Sequence, residues 1–176
     1  NAGADAYNVA IGYNAGLSVT TGNYNILIGG TAGDALTTGN ENIAIGFSAL
    51  GAEDSGGKNI AIGYKSLEVL DAGADGNNVA VGRDSGRAMS TGIQNTIVGA
   101  LCGDALTTGD NNIIIGYNAA ASAVGVDNEI TLGDANISAF RCADQSIAAL
   151  SDGRDKSEVE ESPYGLEFIN KLKPVK

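Results

Sequence analysis

A glycine closing a short apolar stretch recurs eight times along this chain, at Gly12, Gly29, Gly46, Gly63, Gly82, Gly99, Gly116 and Gly133. Six of the seven intervals are 17 residues long and one is 19. A fixed period of this size restricts the chain to stacked units, none of which can bury its apolar residues alone. The stretches read NVAIG, NILIG, NIAIG, NIAIG, NVAVG, NTIVG, NIIIG and EITLG, with Glu129 in the last where the others carry asparagine. Residues one and three places before each glycine, such as Val9 with Ile11, Ile43 with Ile45 and Ile113 with Ile115, are spaced to share one face of a short strand. That face is expected to point into the coil. The glycine after it allows a turn where a Cβ would clash or φ must be positive.

Other columns repeat in register. Three places after the glycine stand Ala15, Ala32, Ala49, Ser66, Ser85, Cys102 and Ala119, a slot with little room. Seven places after it stand Val19, Leu36, Leu70, Met89 and Leu106, an apolar column that Glu53 breaks. Thr20 to Gly22, Thr37 to Gly39, Ser90 to Gly92 and Thr107 to Gly109 then supply the turn before the next strand. Asparagine precedes seven of the strands, at Asn8, Asn25, Asn42, Asn59, Asn78, Asn95 and Asn112. Identical residues in successive coils stack about 4.8 Å apart, so these amides are expected to form a structural hydrogen-bond ladder that also satisfies turn backbone groups.

Gly is 26 of 176 residues, aromatics are 5%, and Trp and His are absent. Such a chain has few large side chains for a thick core, whereas thin coils of short strands and turns need only small ones. A flexible Gly-rich linker is excluded by the Ile and Val content. The prediction is an all-β chain: a parallel β-solenoid, or β-roll, of about eight 17-residue coils over residues 1–134, roughly 40 Å long. A connector over 135–150 and a different segment over 151–176 follow. The 19-residue interval carries its two extra residues between Glu68 and Asn78, as an outer bulged loop and candidate contact surface.

Coils this thin bury little area each, so association is expected. Tyr13, Phe47, Tyr64 and Tyr117 follow the glycine in half the coils, a candidate subunit-contact stripe. A net charge of −11 argues against a nucleic-acid partner. No run of 18 apolar residues and no basic leader pattern is visible, so neither membrane insertion nor a signal peptide is expected. The chain opens in mid-pattern, and an upstream part is expected. Cys102 falls in the small-residue column and Cys142 beyond the last coil; the two make neither a metal site nor a disulfide scaffold. The clusters Gly109 to Asn112 and Asp75 to Asn78 read as Asx-rich turns ahead of calcium loops, so no metal and no cofactor is expected.

Over about residues 5–133, the pattern of Asn, a small residue, Ile and Gly resembles the head repeats of trimeric autotransporter adhesins. It is equally similar to the β-solenoid repeats of bacteriophage tail fibres, where ALxxTTGxxNIAIG units recur. The resemblance implies a homotrimer of parallel β-rolls. After Gly133 the composition changes. SDGRDK, with Ser151, Asp152, Arg154 and Lys156, followed by GLEFINKLKPV, resembles the start of the intramolecular chaperone domain of phage tailspikes and fibres. In that family the domain trimerises and then releases itself at the serine. The resemblance implies single-turnover self-cleavage with Ser151 as nucleophile and Lys156 as base, supported by Asp152 and Arg154. A lysine desolvated beside a serine hydroxyl suits that role.

The expected function is therefore structural and adhesive rather than enzymatic: a segment of a trimeric tail fibre or tailspike, located in the virion and attaching to the host surface. Its expected partners are further copies of itself, a host cell-surface glycan or protein, and other virion tail proteins. A bacterial trimeric autotransporter-type adhesin head on the cell surface is the alternative, and a polysaccharide-degrading tailspike the third. No pair of carboxylates stands out from the turn acids to support the last.

Overall fold

The computed structural model describes residues 6–141. It contains eight strands of three residues: β1 (Val9–Ile11), β2 (Ile26–Ile28), β3 (Ile43–Ile45), β4 (Ile60–Ile62), β5 (Val79–Val81), β6 (Thr96–Val98), β7 (Ile113–Ile115) and β8 (Ile130–Leu132). They form one parallel sheet in sequence order, each residue pairing with its equivalent one coil on, as Ala44 does with Ala61. The fold is an all-β parallel solenoid, with no helix among the described residues. The register survives the 19-residue coil, where Ala61 pairs with Ala80.

Period two correctly groups the strand residues, but the face assigned to the interior is reversed. The middle residue of each strand from β2 to β7 (Leu27, Ala44, Ala61, Ala80, Ile97 and Ile114) is fully buried, whereas Ile43, Ile45, Ile113 and Ile115 point outward. Two places before each middle residue is the asparagine, itself buried from Asn25 to Asn112. Once that amide turns inward to reach the turn carbonyls, alternation sends the middle residue inward and its two neighbours out. A narrow interior also explains why three of those middle residues are alanine.

The rest of the interior comes from the two columns read from the sequence. Ala32, Ala49, Ser66, Ser85, Cys102 and Ala119 are buried, as are Leu36, Leu70, Met89 and Leu106. A further column, four places after the glycine, is complementary in size to the strand. Gly33 faces Leu27 and Gly103 faces Ile97, and a Cβ on either glycine would come within 2.9 Å of that side chain. Where the strand carries Ala44 or Ala61, the same column carries buried Leu50 or Leu67. Coil five has Ala80 and Gly86, and the gap is filled by Leu67 and Ile97 reaching in from the coils on either side. The core is thus filled to near-constant volume.

Candidate functional site

Three features stand out: an internal ladder of amides, a disturbed coil beside the insertion, and the outer face of the strands.

In the ladder, each asparagine Oδ1 accepts the main-chain N–H of its counterpart one coil on, at 2.8–3.2 Å from Asn8 through Asn112. Each Nδ2 except that of Asn59 donates to a turn carbonyl fourteen residues ahead, as Asn25 does to Gly39 and Asn95 to Gly109. One buried side chain thereby satisfies two groups that the sheet cannot reach. A second ladder was not anticipated. The Oδ1 of Asn40, Asp110 and Asp127 accepts the N–H of Asn23, Ile93 and Asp110 respectively. The clue was the Asx residue two places before the main ladder, present in only some coils. Hydroxyls of Thr20, Thr37, Ser90 and Thr107 add a third set, each donating to the carbonyl one coil on.

Gly46 shows why the column of closing glycines is fixed. Its φ is +137°, and a Cβ there would lie 2.3 Å from the Gly63 carbonyl oxygen. Gly12, Gly29, Gly63, Gly82 and Gly99 repeat this approach, while at Gly116 the obstacle is the backbone of Gly133, the last of the column. The Asx clusters serve turns: Asn77 Nδ2 donates to the Asp75 carbonyl and Asn111 Nδ2 to Asn128 Oδ1. Among the described residues no group of three or more His, Cys, Asp or Glu is placed to hold a metal. Cys102 is buried, donates to the Ile114 carbonyl, and has its thiol pushed up to about 11 by burial, which makes it unreactive. Glu129, in place of the asparagine, accepts from Ser122 and Thr131 near the surface, and these bonds hold its carboxyl below the ordinary value.

The disturbed coil contains Glu53. Rather than leaving the apolar column, this side chain occupies it, fully buried between Leu36 and Leu70 in sequence register. Its Oε1 accepts the Gly56 N–H at 2.7 Å and its Oε2 the Ala72 N–H at 3.1 Å. Gly73, Ala74 and Asp75 of the insertion are exposed, and Lys58 pairs with Asp75 across one coil. Alongside, Glu68 bonds Lys65 at 2.7 Å and Arg87 at 2.8 Å. Burial alone would raise the Glu68 carboxyl, but these two cations outweigh it and hold it below the ordinary value.

The outer strand face carries two columns of side chains, all aliphatic except Thr96. Val9, Ile11, Ile26, Val98, Ile113, Ile115, Ile130 and Leu132 are exposed on it. Tyr13, Phe47, Tyr64 and Tyr117 lie exposed along one edge, with Phe47 and Tyr64 stacked at 5.7 Å. Tyr7 and Tyr24, on the other side of the strand in sequence, stack at 5.3 Å. The self-cleavage residues Ser151, Asp152, Arg154 and Lys156, and also Cys142, lie outside the described residues. Comparison with known proteins returns no matching family model, curated protein or solved structure.

Proposed function

We propose that the chain is a segment of a homotrimeric fibre of the bacteriophage tail-fibre type, whose work is mechanical and adhesive. The observation that carries this reading is the bare aliphatic strand face. Parallel sheets are normally covered on both faces, and an exposed apolar surface of this continuity marks an interface. Its occupant is the same face of other copies, because a strip that repeats every 17 residues for the length of the solenoid is matched best by one with the same repeat. The strip is on the order of 35 Å by 10 Å. A single pairing of two strips falls short of the roughly 800 Å² per partner of a stable interface. Three strips around one axis also bury the flanking aromatic edges, which supports a trimer.

In this reading the asparagine and glycine columns make each coil rigid, the strand face joins three coils, and the remaining surface meets the host. The insertion, exposed at 73–75, is the local departure from the repeat and the first candidate for contact with a host glycan or protein. The motif from Ser151 to Lys156 adds a single self-cleavage that releases the mature fibre. Light scattering on the 176-residue protein tests assembly: a species of three times 17.6 kDa is expected, and a folded monomer overturns the trimer. Intact-chain mass tests cleavage, with a product ending near Ser151 in the parent and an uncut chain in Ser151→Ala.

A further inference from the structure

Main-chain bonds join equivalent turns up the solenoid: Thr20 N–H to Thr37 carbonyl, Thr37 to Asp54, Asp71 to Ser90 and Ser90 to Thr107. Among the described residues the rung from Asp54 to Asp71 is missing. The Oδ1 ladder runs on unbroken here, but the amide bond to the turn fails. The carbonyl fourteen residues after Asn59 belongs to Gly73, which the insertion carries outward, and Asn59 Nδ2 is buried with no partner. The turn of the fourth coil thus lacks both its main-chain rung to the third coil and its amide bond to Asn59. Into this seam the sequence places the buried Glu53, whose two oxygens bind one N–H from each side: Gly56 from its own turn and Ala72 from the insertion.

We propose that Glu53 is a clasp that closes the seam opened by the two-residue insertion, and that its protonation state sets how readily the 72–75 loop lifts from the solenoid. A leucine there would complete the apolar column but leave two donors bare; only an acceptor with two oxygens serves both. The charged groups acting on Glu53 are Asp54 beside it and Asp71 on the next coil, both acidic. Burial raises its carboxyl above the ordinary value, the bonds from Ala72 and Gly56 oppose this, and the two aspartates add to it. With its folded value raised, Glu53 holds a proton more tightly in the closed seam than in the opened one. The seam is accordingly tighter in acid and loosens as pH rises through the folded value. This reading is independent of trimer assembly and host attachment.

Amide hydrogen exchange on the full chain, expressed as protection factors at pH 4, below the ordinary carboxyl value, and at pH 7.5, tests it. In the parent, Gly56 and Ala72 gain protection on acidification, while Gly16 and Gly33, whose bonds are purely main-chain, do not change. Glu53→Gln keeps the shape and removes the titration, so the difference between the two pH values disappears. Glu53→Leu keeps the column filled and removes both acceptors, so protection at Gly56 and Ala72 falls on the order of tenfold or more at both pH values. Unchanged protection at those two amides in Glu53→Leu would overturn the clasp. A pH response that persists in Glu53→Gln would overturn its control by Glu53.

Discussion

Ala44 and Ile45 are adjacent in sequence and belong to the same three-residue strand, yet they face different worlds. Ala44 is fully enclosed by the coil, and the equally buried Leu50 takes up the volume that its small side chain leaves. Ile45 looks outward, between Ile28 and Ile62 on the neighbouring strands, over a face that nothing in the chain's described residues covers. The inner face holds one coil to the next within a chain; the outer face is available to hold chain to chain. Hydrophobicity alone gives the wrong order in β3 and β4, where the isoleucines lie outside and the alanines inside. Volume decides: a 17-residue coil has no room for isoleucine at every inner strand position.

Mutation separates the two faces, and the largest effect is expected inside. Ala44→Asp places an unpaired charge in the closed core and is expected to cost roughly 3–5 kcal/mol, melting the solenoid at far lower temperature by circular dichroism. Next comes the amide ladder. Asn95→Ala leaves the Gly109 carbonyl and the Asn112 N–H without their bonds, at about 1–3 kcal/mol for each buried group. Asn59→Ala is expected to cost less, because its Nδ2 has no bond to lose; equal melting of the two variants would sink the account of the disturbed coil. The smallest effect on the coil itself is expected from Ile45→Asp. It should leave the strand signature of the single chain intact while shifting the native mass toward the monomer. Ile45→Asp unfolding as completely as Ala44→Asp under the same conditions would remove the distinction between faces.

The columns were legible because each is a repeated local demand. A glycine is needed wherever a backbone oxygen approaches where Cβ would stand, and that demand recurs at every coil, as Gly46 against Gly63 illustrates. The small column and the apolar column were equally legible, since stacking places like on like. Glu53 was read as a break in the latter, because a carboxylate in an apolar column is intelligible only once the N–H groups of Gly56 and Ala72 are seen converging on it. The pairing of Leu27 with Gly33 and of Ala44 with Leu50 was also written in the sequence. It escapes a reading made one column at a time, since the compensation runs between columns six residues apart.

By itself the sequence determined the period, the strand positions and the turn glycines, since these follow from spacing and from the few residue types that each local conformation admits. Which side of the strand lies inside was settled only by tertiary structure. Alternation is symmetric between two faces, and the symmetry is broken by the inward asparagine, whose amide must reach main-chain groups a full coil away.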